Sequence, residues 1–469
     1  MRLTARNFGA RNPSVHYGDL TISASTPNLL RELEQNSRHW SREHVTDLWI
    51  RTGMAAQAIL DDDSCRDPAV QAQVHALLRR AARLVIEEAS FHEYRNAVIG
   101  LRDFNLPEAL RMKIPEGFSF YSVFPESYLE SAHALRNFLG EAELRVVGIR
   151  SIGTALGSIV AEAAGACDFW TVRPVGHPFQ REISADDDFK NTIVPESHYA
   201  VVDEGPGLSG SSFASVAAWL VARGVPWERI HFLPAHPHPP GNDGSDSVRK
   251  IWSQVRRWNA NEFRSDQDPR WNYCGLGPAG AIRREIAIRL SKAGWIPEVL
   301  GFRYGGILQA PVEGIPLDET PRRDRIQALS EIARYLAFRA RALPPPIVQG
   351  APLEKLHRGR EQIDGLSRLV RPVYLDGDLG PGKWRCQSNG KLLKTKAWEN
   401  AVSHEFIGPQ DSAWDIAGVI VEFELSDSEE RLFLRALANE GLSRDSRLLA
   451  FYRAAYRAFR PSRNTRADQ

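Results

Sequence analysis

The feature that most constrains this chain is a change of hydrophobic period in its middle third. Between Arg111 and Pro240, short apolar runs alternate with segments of helical spacing. Leu144-Arg145-Val146-Val147-Gly148-Ile149 is one run, and Thr154 to Ala164 follows as a helix of small residues. Asp168-Phe169-Trp170-Thr171-Val172 is strand-like, and Tyr199-Ala200-Val201-Val202-Asp203 is a second strand of buried type. Ser211 to Arg223 has helical spacing, and Arg229-Ile230-His231-Phe232-Leu233 is a further strand. Strands apolar at successive positions need cover on both faces. Alternation with helices supplies that cover, so the segment is expected to form a parallel sheet with helices on both faces.

The flanks differ. Residues 1–110 are expected to be mainly helical, with an amphipathic stretch opening at Pro27 and a longer one from Pro68 to Ala97. Asp61-Asp62-Asp63-Ser64 lies between helical patterns and is expected to be a solvated loop. The stretch from His236 to Ser245 carries Pro237, Pro239, Pro240 and two glycines, and is expected to be a domain boundary. Three regions follow: 1–110, helical, packing on or completing the next; 111–240, the α/β sheet; and 246–469, which mixes helices and strands. The 469 residues carry a net charge of +1, which argues against a dedicated nucleic-acid binder. No apolar run approaches the roughly 18 residues of a membrane span. The first residues lack the apolar core of a secretory leader, and Cys65, Cys167, Cys274 and Cys386 are too scattered for a disulfide framework. A reducing, cytoplasmic setting is the expectation.

The segment Tyr199 to Phe213 carries the most chemistry. A buried strand delivers two carboxylates, Asp203 and Glu204, to its C-terminal end. Gly205, Gly207 and Gly210 then make a tight loop, and Ser209, Ser211 and Ser212 bring hydroxyls to the start of a helix. Ligands of open α/β sheets bind at this end of the strands. Converging backbone N–H groups and a helix N-terminus favour an oxyanion, and hydroxyls add donors. The carboxylates cannot favour the same phosphate; they suit ribose hydroxyls or a bound Mg²⁺. A plain turn is the bland alternative.

This combination resembles the phosphoribosyl-diphosphate motif of type I phosphoribosyltransferases. There an apolar strand ends in two acids, followed by a short spacer and Thr-Gly-x-Thr. Ser209-Gly210-Ser211-Ser212 matches the last part, with the acidic pair one residue farther upstream. Val146 to Ala155 resembles the family's earlier strand, loop and helix, which places Arg150, Ser151 and Gly153 near pyrophosphate, with Arg173 as a further ligand. The resemblance implies binding of phosphoribosyl diphosphate with Mg²⁺ and transfer of ribosyl phosphate to a small-molecule acceptor. It gives Asp203 and Glu204 the catalytic and metal-binding roles, and makes Gly207, Ser209, Gly210, Ser211 and Ser212 the phosphate loop. The spacer Gly205-Pro206-Gly207-Leu208 lacks the acid that several members carry, which leaves open a non-catalytic regulatory protein that senses phosphoribosyl diphosphate or a nucleotide. Ile114 to Tyr121 is a candidate hood over the acceptor.

The C-terminal third resembles aminoglycoside- and choline-kinase-like domains. Gly294 to Gly301 and Gly306 to Pro316 match the end of an N-lobe and its hinge. Asp376-Gly377-Asp378-Leu379-Gly380-Pro381-Gly382-Lys383-Trp384 matches the catalytic loop, followed by Asn389 to Leu393, Ala397 to Ala401, and Asp411 to Ala417. The match makes Asp378 the base. However, the metal-binding Asn is Lys383, the second metal ligand falls at Lys396 or Ala397, and no lysine lies between Lys250 and Lys292. Phosphoryl transfer needs metal neutralisation of the phosphates. The expectation is a degenerate, pseudokinase-like α+β domain. An active small-molecule kinase and an unrelated domain are the alternatives.

Overall fold

The computed structural model describes residues 20–37, 40–86, 90–177, 180–184, 187–207, 209–241, 243–259, 263, 268, 270–356, 365–403 and 407–467. Leu208 and the first 19 residues, on which two of the expectations fall, lie outside these. The chain is a mixed α/β protein that divides into two compact units, one spanning 23–265 with 275–278 and one comprising the remainder.

The first unit opens within β1 (Thr21–Ser25, whose first two residues belong to the other unit), followed by four helices, α1 (Thr26–Gln35), α2 (Arg42–Leu60), α3 (Pro68–Val85) and α4 (Phe91–Gly100). Next come β2 (Ala109–Lys113), which pairs with β1, then α5 (Glu116–Phe120) and α6 (Pro125–Leu139). The α/β part then runs β3 (Leu144–Ile149), α7 (Gly153–Ala163), β4 (Asp168–His177), β5 (Gln180–Ser184), α8 (Asp187–Asn191), β6 (His198–Val202), α9 (Ser211–Val221), β7 (Ile230–Leu233), α10 (Asp246–Gln254) and β8 (Arg256–Arg257).

The six-stranded sheet has the order β5-β4-β3-β6-β7-β8. All neighbours are parallel except β5, which returns antiparallel on β4. Counted from β3, this is the order 3-2-1-4-5-6 of a doubly wound sheet, reversing between β3 and β6. Val147, Ile149, Tyr199 and Val201 pack with Phe213, Val216 and Leu220 of α9 and with Trp252 of α10. The other face is covered by α7, on which α2, α3 and α6 pack. Polar bonds tie that layer down: Trp49 Nε1 donates to Ser158 Oγ at 3.1 Å, and His75 Nε2 lies 3.3 Å from Thr171 Oγ1. The helices α1–α4 therefore belong to the same unit as the sheet.

The expected boundary at 236–245 is corrected. The turn residues are real, but the chain stays in the same unit. Gly241 N–H donates to Gly207 O at 3.2 Å, α10 packs on α9, and β8 adds a sixth strand. Proline forbids helix and central strand but does not forbid burial: Pro240 is buried against Gly210. The stretch 68–97 is likewise two helices, with Ser90 capping the second through His92 N–H at 3.0 Å.

The second unit contains β9 (Trp271–Tyr273), α11 (Gly277–Lys292, whose first two residues belong to the other unit), β10 (Val299–Arg303) and β11 (Gly306–Gln309). These are followed by β12 (Ile315–Pro316), α12 (Arg322–Gln327), α13 (Leu329–Ala342) and α14 (Leu353–Leu356). Then come β13 (Pro372–Val373), β14 (Trp384–Cys386), β15 (Leu392–Lys394), β16 (Gln410–Asp411), α15 (Ala413–Glu422), α16 (Asp427–Asn439) and α17 (Ser446–Ala467). Strands β10-β11-β9 make one small antiparallel sheet and β12-β14-β15 another. Ser426 and Glu429 form the expected capping box of α16. Trp414 of α15 packs against Tyr452, Tyr456 and Phe459 of α17 as core. Among the described residues, no helix is long and apolar enough to cross a membrane.

Candidate functional site

Strands β3 and β6 are adjacent and parallel, so the loops after them emerge side by side where the strand order reverses. The fit between them is close. A Cβ on Gly153, the first residue of α7, would lie 2.4 Å from Val202 O and 3.3 Å from Asp203 Oδ1. Only glycine lets the helix start against the end of β6. The Asp203 carboxylate accepts the backbone N–H groups of Gly153 and Glu204. It thereby satisfies a donor at the start of α7, whose own cap position, Ile152, contributes no side-chain bond.

Asp203 and Glu204 sit together, each partly exposed. Burial pushes the Asp203 carboxyl up to about 6, despite backbone bonds and the positive charges of Lys113 and Arg173. Burial pushes Glu204 higher, to about 8, reinforced by the like charges of Glu116 and Asp203 and opposed by a bond from Gly117 N–H. Tyr128 of α6 donates from its hydroxyl to Asp203 O at 2.8 Å and fixes the backbone beneath the pair. Neither carboxylate is in an ion pair among the described residues. Two desolvated carboxylates of raised proton affinity are a fitting donor set for Mg²⁺, which is commonly held by one or two carboxylates plus substrate phosphate oxygens.

The glycine–serine loop follows. Gly210 N–H donates to Pro206 O at 2.9 Å, and Gly207 is exposed at the tip. Gly210 has φ +65°, and its carbonyl accepts Trp252 Nε1–H at 2.9 Å. Ser209 Oγ and Ser211 Oγ lie 3.0 Å apart, and Ser212 follows as the second residue of α9. The first-turn N–H groups of α9 have no intrahelical acceptor. Gly205 to Gly207 carry no acid.

The arginines divide. Arg150 was expected to contact pyrophosphate, but its guanidinium is only 7% exposed. It is spent on Leu60 O at 2.7 Å and Thr171 Oγ1 at 3.1 Å, so the side chain is structural, and its backbone N–H is bonded to Val172 O at 2.8 Å. Arg173 stands at the end of the parallel part of β4 and is partly exposed. It forms a two-point pair with Asp61, which the sequence placed in a solvated loop. Arg181 lies across the β4–β5 hairpin, near Arg173 and Asp203. Phe118 of the expected hood is buried core against Trp49, while Tyr121 remains exposed. Asp61, Lys113 and Tyr128 also lie close to these groups with no local motif to mark them, and Glu116, close to Glu204, belongs to the expected hood.

In the second unit, the kinase-like loop is filled with internal charge. Asp376 is fully buried, with Lys394 Nζ at 3.1 Å, Arg339 Nη1 at 3.8 Å and a bond from the Tyr335 hydroxyl. Asp415 accepts the N–H groups of Asp376 and Gly377 at 2.8 and 3.0 Å. Lys383 Nζ stands 3.3 Å from Asp378 Oδ2, where the resemblance calls for a metal ligand. Ala397 is buried, and Lys396 is 3.8 Å from Glu399. These residues do not fit a divalent metal.

No known protein family matches the chain, and no curated protein does. Solved structures that resemble it include the choline kinase LicA from Streptococcus pneumoniae, at 15% identity and a TM-score of 0.31 over 40% of this chain and 72% of that one. LicA in complex with AMP gives 15% identity and a TM-score of 0.29, over 40% and 70%.

Proposed function

We propose that the first unit is a phosphoribosyltransferase-like module. It binds phosphoribosyl diphosphate with Mg²⁺ and passes the ribosyl phosphate to a small-molecule acceptor. The observation that carries this reading is one juxtaposition. The Gly153 loop and the Asp203–Ser212 loop leave adjacent strands at the reversal of strand order, with a desolvated carboxylate pair between them.

In this reading the N–H groups of Gly207, Ser209 and Ser212 and the hydroxyls of Ser209, Ser211 and Ser212 hold the 5′-phosphate. The Ser151–Gly153 backbone and Arg173 hold the pyrophosphate. Asp203 and Glu204 face the ribose hydroxyls. The acceptor bonds to the anomeric carbon as the bond to pyrophosphate breaks, and pyrophosphate leaves with the electron pair. Asp203 and Glu204, once ionised, steady the oxocarbenium-like charge. Mg²⁺, held by the same two residues, would neutralise the leaving pyrophosphate.

Calorimetric titration of phosphoribosyl diphosphate with Mg²⁺ tests the reading on the unaltered protein and on Asp203→Ala/Glu204→Ala. Binding lost in the variant is the expected result; no binding by the unaltered protein overturns it. The acid-free spacer favours one second reading, a sensor of the same ligand. That reading holds if binding occurs but an acceptor screen releases no pyrophosphate. For the second unit, the Lys383–Asp378 pair supports a kinase-like scaffold without phosphoryl transfer. Mg²⁺-dependent ATP turnover that disappears in Asp378→Ala would overturn that part.

A further inference from the structure

We propose that Asp61, at the C-terminus of α2, is a positioning residue that presents Arg173 to an incoming pyrophosphate group. This rests on the reading above and gives the N-terminal helices a task within it.

The argument is one of donor accounting. A guanidinium has five N–H groups in a planar fork. Arg173 Nε–H donates to Asp61 Oδ1 at 3.1 Å, and one Nη2–H donates to Asp61 Oδ2. One Nη1–H donates to Arg150 O at 2.5 Å. Three donors are engaged, all by groups of the protein, and two remain, one on each Nη. The engaged edge is pinned by a bidentate carboxylate, the geometry that fixes an arginine in plane and rotamer. The remaining donors belong to a partly exposed group at the end of the part of β4 that pairs with β3.

Asp61 is itself held. It follows Leu60 as the cap residue of α2, its backbone N–H donates to Gln57 O at 2.9 Å, and Arg150 Nη1 lies 3.6 Å from its Oδ1. Arg150 is anchored by Leu60 O and Thr171. A rigid chain thus runs from α2 through Asp61 to Arg173. A lone exposed arginine would lose side-chain entropy on binding; here much of that cost falls on folding instead.

The test is titration of inorganic pyrophosphate with Mg²⁺ into the full-length protein and a double-mutant cycle. Asp61→Asn is expected to weaken binding about tenfold, and Arg173→Ala about a hundredfold, the range for charge-assisted bonds. The double variant should bind no more weakly than Arg173→Ala alone, because Asp61 acts only through Arg173. Asp61→Glu should recover most of the loss. Equal affinity of Asp61→Asn and the unaltered protein would overturn the positioning role and leave the proposed function standing. Tighter binding would show that Asp61 competes with the ligand, which also overturns it. No binding by the unaltered protein would sink both. Should Asp61→Asn fail to fold, the Arg173 Nε–H resonance of the unaltered protein decides the matter. Positioning requires the Asp61 pair to persist when pyrophosphate is bound, and its rupture refutes the proposal.

Discussion

Replacing Gly210 by alanine tests whether the glycine–serine loop is bolted to the sheet or merely lies against it. The residue has φ +65°, a conformation that costs an L-residue about 1 kcal/mol. The new methyl group would lie 2.6 Å from Pro240 Cγ and 2.7 Å from Trp252 Nε1. Trp252 cannot swing away, because it is 3% exposed and packed against Phe213 and Phe232 at ring separations of 5.2 and 5.0 Å. Overpacking of this kind costs about 1–3 kcal/mol. Displacing the indole also breaks its bond to Gly210 O, worth about 1 kcal/mol. The sum is about 3–5 kcal/mol for Gly210→Ala.

Gly207 supplies the control. Its φ is +58°, but a Cβ there meets nothing within 4 Å, so Gly207→Ala should cost only the backbone term of about 1 kcal/mol. Urea unfolding of the two variants, compared at the first transition, measures the difference. Gly210→Ala should also lose phosphoribosyl diphosphate binding at urea-free conditions where it is still folded. If the two variants unfold at the same urea concentration, Pro240 and Trp252 yield freely, and the loop is not braced as described.

Three further outcomes are expected. Lys394→Met strands the buried Asp376 carboxylate and should destabilise the second unit by about 3–5 kcal/mol in chemical denaturation; a cost under about 1 kcal/mol would show that Arg339 and Tyr335 suffice alone. His231 is buried, and burial drives its imidazole down to about 3 from an ordinary 6.5. Between those values the unfolded chain binds a proton that the folded one refuses, so stability falls as pH drops, by up to about 1.4 kcal/mol per unit. His231→Gln should remove most of one proton from that slope, and an unchanged slope would refute the assignment. Glu162 is flanked by Arg79 and Arg83 and is itself nearly buried, so Glu162→Gln should cost about 1–3 kcal/mol in thermal or urea unfolding, against almost nothing for the exposed pair in Asp63→Asn.

The strands β3, β6 and β7 were legible because burial on both faces writes a run of apolar residues that turns and helices do not need. The loops after β3 and β6 were legible for a related reason: glycines and serines at a strand end have few structural uses. What escaped was set by distance. Asp61 and Arg173 are 112 residues apart, and an acidic triplet between helices gives no sign that its first member is clamped. Arg150 was misjudged because an arginine beside a glycine loop and one buried under it have the same local sequence. β5 and β8 carry too little apolar character to announce themselves, being a polar return arm and a two-residue edge. The proline stretch near Pro240 marked a turn correctly but gave no information on which side of it the next helix would pack.

The second unit differs from the first in how it treats its acids. Among the described residues Asp203 and Glu204 form no ion pair, and burial raises their proton affinity. Around the Asp376–Lys383 loop, the carboxylates of Asp376, Asp378 and Asp415 stand among the basic side chains of Lys383, Lys394 and Arg339. A divalent ion entering beside Asp378 would meet an ammonium 3.3 Å from the same carboxylate, and like charges at that range oppose each other. One unit has kept its carboxylates available and the other has neutralised them from within, so the search for chemistry belongs at the ends of β3 and β6.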